Sequence, residues 1–229
     1  MRLAIYIAPR AGTPLADVAC GWLGRDAQSD EPVTPRPVPG LAPARQAVIT
    51  ASPRHYGFHA TLKAPFALAG GVDADDLDAA VAELAAGWQP FEVRLAIASL
   101  GGFLALMPGR PCPPIEALAG ACVRELDRFR APPSAEELAR RRTAGLTPRQ
   151  EELLRAFGYP YVLDEFRVHM TLTGRLAEAE RRRVQAALEP VLGPLLEAPV
   201  AIDALSIFAQ EASSAPFVEI RRQPLARGR

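Results

Sequence analysis

The sequence predicts a two-lobed α+β fold. Candidate elements run strand, helix, strand, strand, then several helices, then strand, helix, strand, strand, and a His-x-Thr-Leu motif stands once in each half. Residues 2–8 (RLAIYIA) alternate and are rich in branched and aromatic side chains, the mark of a strand. A Pro/Gly-rich stretch follows from Pro9 to about residue 46, with Pro32, Pro35, Pro37, Pro39 and Pro43 in close succession. Proline at that density breaks helix and central strand alike, so a long surface loop is expected, interrupted by a short helix at 15–23. Residues 56–62 read as a strand, and 74–88 as an amphipathic helix with Asp73, Asp75 and Asp76 at its positive end. Residues 91–99 and 103–107 suggest a hairpin turning at Gly101–Gly102. Three helices are expected at 114–130, 134–143 and 148–157, the last two capped by Ser134 and Thr147, with capping-box spacing at Ser134-x-x-Glu137. A strand at 166–173, a helix at 177–193 and strands at 201–209 and 217–222 complete the order. We expect one domain over 1–229, with a helical insertion at about 113–158 between the two motif strands.

Composition narrows the functions available. Of 229 residues 49% are hydrophobic and 23% charged, and 26 basic side chains balance 26 acidic ones, so no net field draws in nucleic acid or an anionic membrane. The apolar runs are too short to span a bilayer, and residues 3–8 are too few for a secretory signal. Three cysteines without Cys-x-x-Cys spacing suggest neither a disulfide framework nor a zinc site. Cytoplasmic location is the default expectation, with no metal, no cofactor, no membrane association and no obligate protein partner.

The motif carries the chemistry. His59-Ala60-Thr61-Leu62 and His169-Met170-Thr171-Leu172 engage two of only three histidines. Chance would produce that on the order of once in ten thousand. Alternation along a strand places His59, Thr61 and Lys63 on one face and Phe58, Ala60 and Leu62 on the other. In the second copy Arg167, His169, Thr171 and Thr173 share the polar face. Two such strands paired across a groove would bring two imidazoles and two hydroxyls together. One imidazole can take a proton from an attacking oxygen while the other gives one to the leaving oxygen, and threonine hydroxyls can donate to the non-bridging oxygens of a phosphate. A bell-shaped pH profile with both limbs where histidine titrates is then expected. His55, unpaired with any motif, reads as incidental.

The same residues resemble the 2H phosphoesterase superfamily, named for its two His-x-Thr/Ser motifs. The nearer resemblance is to a bacterial branch labelled putative phosphonate metabolism protein, domain of unknown function 1045. It is carried by WLGRD (22–26), PRHYGFHATLKAPF (53–66), FRAP (129–132), GYPY (158–161) and FRVHMTLTG (166–174). The resemblance implies two antiparallel-sheet lobes in pseudo-twofold relation about a central cleft, with helices outside. It implies metal-independent phosphoester chemistry by His59 and His169, with Thr61 and Thr171 on the phosphate. The implied substrate is a cyclic or linear phosphodiester of a nucleotide or ribose derivative, an RNA end included.

Candidate binding residues surround the motifs. Lys63, the only lysine, should share the cleft face with Thr61 and could neutralise phosphate charge. Arg54 and Tyr56 precede the first motif and could meet base or sugar, although Tyr56 has the parity of a core residue. Arg167 and Thr173 flank His169 on its own parity. The arginine runs at 140–142 and 181–183 read as solvated helix faces. Two other readings use the same cleft: a module that binds a nucleotide or RNA end without turning it over, and a ligase or transferase. Assay of turnover separates them from a hydrolase.

Overall fold

Both faces of β1 (Arg2–Ile7) are covered, which is why the strand is apolar at nearly every position. Leu3, Ile5 and Ile7 face the main core, while Ala4 and Tyr6 face a smaller cluster with Phe208 and Phe217. The structure, a computed structural model, describes residues 1–143 and 145–226; residues 144 and 227–229 of the expected domain lie outside that description.

β1 pairs on one side with β2 (Ala60–Phe66) and on the other with β8 (Ala204–Gln210), which pairs with β9 (Val218–Pro224). β4 (Leu95–Leu100) and β5 (Phe103–Pro108) form the hairpin expected at Gly101–Gly102, and β5 pairs with β6 (Met170–Thr171). The two groups meet where β2 pairs with β6, giving one antiparallel sheet in the order β4-β5-β6-β2-β1-β8-β9. β3 (Phe91–Val93) was expected to belong to that hairpin; it leaves the sheet and pairs instead with β7 (Val200–Ile202).

Helices clothe the sheet. α4 (Ala74–Ala86) starts in a capping box between Asp73 and Asp76 and packs on β8 and β9. α8 (Glu178–Leu196) packs on β4 and β5, and α5 (Pro113–Glu125) on β2. α6 (Ala135–Arg142) buries no side chain, and α7 (Pro148–Phe157) is fixed at its start by a capping box between Thr147 and Gln150. At α6 only the Ser134 half of the expected box forms, with Glu137 turned to Arg141. The predicted α+β class, with helices outside antiparallel strands, is the class observed. Among the described residues, no helix is long and apolar enough to cross a membrane.

The proline-rich stretch differs most from expectation. α1 (Pro14–Leu23) is followed by a folded-back arm in which Arg25, Ala27, Val38 and Gln46 are buried. Pro43, the last of the proline run, is the first residue of α2 (Pro43–Ile49), a position where its missing N–H costs nothing. α3 (Ala51–Tyr56) occupies residues before the first motif, so the strand read at 56–62 begins only at Ala60.

Candidate active site

The register of β2 against β6 assembles the two motifs. Ala60 stands across from Met170 in an antiparallel pair. The same register, taken one residue further in each direction, brings His59 opposite Thr171 and Thr61 opposite His169. Continued through this one recorded pair, the antiparallel register puts the four residues in a two-by-two arrangement with the histidines on one diagonal. Diagonal neighbours in such a ladder lie roughly 7–8 Å apart, their Cβ atoms somewhat closer, enough to flank a phosphate.

Both imidazoles are held alike. His59 Nδ1 donates to the carbonyl of Gly57 at 3.0 Å, and His169 Nδ1 to that of Arg167 at 2.7 Å, each two residues upstream. Those bonds fix the proton on Nδ1 and leave Nε2 as the working nitrogen. Thr61 donates its hydroxyl to His59 Nε2 over 3.1 Å. The His59 ring lies flat on Tyr6, with centroids 3.7 Å apart and planes 18° apart. Burial, with help from the nearby His169, depresses the His59 imidazole to about 4, against the raising effect of the Gly57 carbonyl. His59 is therefore neutral at pH 7, with a bare Nε2.

Gly57 makes this possible. Its φ of 79° and ψ of 176° fall in a region essentially reserved for glycine, and an added Cβ would stand 2.3 Å from that of Ala27. Behind His59, Tyr56 stacks on Phe217 at 5.2 Å, with its own ring 6.4 Å from the imidazole. Tyr56 thus buttresses the histidine within an aromatic cluster, as its parity suggested, and does not line the cavity beside the motifs.

That cavity measures about 460 Å³ and opens beside Thr61 and His169. Aromatic walls come from Phe103, Tyr159, Tyr161 and Phe166, and Arg167 and Arg175 reach its rim. Gln150 and Glu165 close one side, tied to each other at 2.9 Å. His59 meets this space through its bond to Thr61. Tyr159 and Tyr161 belong to the GYPY stretch and had been given no role. Phe103, Gln150 and Arg175 come from separate elements, and no local pattern in the sequence marks them.

Three expected binding residues lie elsewhere. Tyr6 faces Thr61 while its neighbour Ile5 faces Lys63, so one step along β1 matches two along β2. This bulge breaks the alternation and turns Lys63 to the opposite face from Thr61. There Lys63 is buried, donating to Asp127 at 3.0 Å and to the Val123 carbonyl at 3.2 Å. Burial lowers its pKa while Asp127 opposes that shift. For Asp127 burial acts upward, but the hydrogen bonds from Arg130 and Lys63 prevail and hold the carboxyl below its usual range. A second bulge follows the other motif: Leu172 and Thr173 both donate their N–H to the Leu104 carbonyl. Thr173 turns inward in consequence, and its hydroxyl accepts from the Leu104 N–H at 3.0 Å. Arg54 joins helices instead of meeting ligand, donating to the Leu23 carbonyl and the Thr50 hydroxyl. His55 packs against Tyr56 and Phe217, clear of the cavity.

The WLGRD stretch positions the second motif. Trp22 Nε1 donates to the Leu172 carbonyl at 2.8 Å, and Gly174 N–H to the Ile49 carbonyl at 2.7 Å, so α1 and α2 hold the β6 bulge. Arg25 is buried between the Phe217 and Arg54 carbonyls. Among the described residues, no group of three His, Cys, Asp or Glu side chains is placed to hold a metal ion.

Comparison with known proteins follows the same residues. Two relatives are each described as ribose 1,5-bisphosphate phosphokinase PhnN. That of Janthinobacterium sp. (strain Marseille) is 40% identical over 98% of this chain, and that of Laribacter hongkongensis (strain HLHK9) 37% identical over 95%. The chain spans about half the length of these relatives, 51% and 50% respectively. Among solved structures, Escherichia coli LigT complexed with 3′-AMP matches over 99% of this chain and 98% of its own, at 14% identity and a TM-score of 0.44. A structure described as a phosphoesterase matches over 99% of each chain at 14% identity and a TM-score of 0.42. A family model matches residues 61–218, from the first motif threonine into the last strand, and the chain belongs to that family, described as Protein of unknown function (DUF1045).

Proposed function

We propose that this protein is a phosphodiesterase that cleaves a cyclic or linear phosphodiester of a ribose derivative by two-histidine acid–base catalysis. The observation that carries the reading is the β2–β6 pairing that sets the two motifs side by side, with both imidazoles oriented by the carbonyl two residues upstream. Attack and departure at phosphorus lie roughly in line, so base and acid must flank the phosphate from opposite sides. Diagonal histidines supply that arrangement. His59, neutral and with Nε2 bare, removes the proton from the attacking oxygen. His169 then gives a proton to the leaving oxygen. The hydroxyls of Thr61 and Thr171 donate to the non-bridging oxygens, Thr61 releasing His59 Nε2 as substrate enters. Each proton transfer is worth roughly 10²–10⁴ in rate, with no Lewis acid required by this scheme.

The description of the relatives supports a ribose phosphate as substrate or product. Their kinase chemistry is not this chain's by any phosphate loop of the Gly-x-x-x-x-Gly-Lys-Ser/Thr type, because the sole lysine, Lys63, follows Leu62. A phosphodiesterase joined to such a kinase would deliver the sugar phosphate that the kinase consumes. The test is a screen of cyclic and linear ribose and nucleotide phosphodiesters against wild type and a His59→Ala, His169→Ala double variant. Turnover of at least one diester by wild type and its loss in the variant is expected. Binding without turnover would point to a ligand-binding module instead.

A further inference from the structure

We infer that the cavity end beside His169 is a second phosphate site, formed by Arg167 and Arg175, which selects a ribose phosphodiester bearing an additional terminal phosphate. The inference rests on the cleft proposed above and concerns charge that the reaction leaves over. A phosphodiester is a monoanion, and the proton that His169 donates in the proposed reaction already answers it. Two further guanidiniums line the same cavity, against one acid, Glu165, among the described residues.

The two acids just upstream of Arg167 are engaged elsewhere. Asp164 holds Arg149 through both oxygens, at 2.9 and 2.7 Å, and Glu165 accepts from Gln150. Among the described residues Arg167 spends only Nη1, on the carbonyls of Asp164 and Phe166 at 3.2 and 2.7 Å, with no partner on its Nε and Nη2 edge. Arg175 makes no side-chain hydrogen bond or ion pair among the described residues, and both arginines are exposed at the rim. A guanidinium edge matches a phosphate in a two-bond fork, and a terminal phosphate carries about −1.5 to −2 charges at pH 7. Two guanidinium forks against one carboxylate leave a net positive charge and open donors for a terminal phosphate, where a neutral sugar end would leave them unanswered. The sugar named in the relatives' description carries two phosphates as well.

Calorimetric titration with ribose 1,5-bisphosphate and ribose 1-phosphate tests this without turnover. Wild type should bind the bisphosphate at least tenfold more tightly, and Arg175→Ala should bring that ratio below about threefold, with Arg167→Ala acting in the same direction. Both side chains are exposed, and thermal unfolding of each variant checks that the fold is kept. Equal binding of the two sugars, failure of the bisphosphate to bind at millimolar concentration, or an unchanged ratio in Arg175→Ala would overturn the inference. A protein that prefers the bisphosphate yet cleaves no diester would keep this site and refute the proposed reaction. Cleavage of a diester with no such preference would do the reverse.

Discussion

At the scale of single residues, neutrality of His59 decides how the work is divided between the histidines. Its Nδ1 proton is held by Gly57 and burial keeps a second proton off Nε2, so the acid limb of kcat/KM should fall near pH 4 and not in the ordinary histidine range. The profile on a confirmed diester checks this, and an acid limb at pH 6 or above would remove His59 as the base. Lys63 illustrates the opposite outcome. Parity alone put it beside the phosphate; the bulge puts it in a buried pair with Asp127. Lys63→Met should therefore show first as lost stability, roughly 1–3 kcal/mol, because Asp127 keeps Arg130 as a partner. Urea unfolding measures it. Unchanged stability with a large loss in kcat/KM would return Lys63 to the cleft.

At the scale of elements, the ends of α3 and α1 set the motif strands. Gly57→Ala places a methyl group against Ala27 in a backbone conformation only glycine tolerates, so a loss of at least about 2 kcal/mol is expected, with kcat falling alongside as the carbonyl under His59 shifts. A variant of wild-type stability and activity would show that the turn is not needed. The sequence made the motifs, α1, α4, α7 and the β4–β5 hairpin legible because each has its own local signal: a repeat, a cap, a period or a glycine turn. α2 escaped because Pro43, the last of the proline run, reads as a helix breaker although it sits in a first turn, where proline is tolerated. α3 is only six residues long, with no side-chain cap to announce it. The roles expected of Lys63 and Thr173 failed for one physical reason. A bulge costs a strand its alternation, and nothing in Thr-Leu-Lys or Thr-Leu-Thr announces one. The cavity walls were illegible for another: Phe103, Gln150 and Arg175 are brought together only by the β5–β6 pairing and the capping of α7.

At the scale of the whole molecule, one antiparallel sheet joins the two halves at the strand pair that carries the histidines, so folding and site assembly are a single event. Stability should then respond to the site's own titration. The folded-state value for His59 is about 4, below the roughly 6.5 of an unfolded chain, so between these values the unfolded chain binds a proton that the folded one refuses. Stability is full above about pH 6.5 and falls as pH drops toward 4; His55, lowered by burial and by Arg25 and Arg2, acts in the same direction. Urea unfolding at pH 7.5 and 4.5 should show a smaller difference for His59→Asn than for wild type, and equal differences would contradict the half-buried neutral imidazole. The pairing of the two histidines is tested most directly by kcat for His59→Ala, His169→Ala and the double variant on one cleaved diester. Each single change should lower kcat by at least about 10², with the double variant little worse than the poorer single one, because groups acting as a unit are not additive. Near-normal turnover in either single variant would contradict the account.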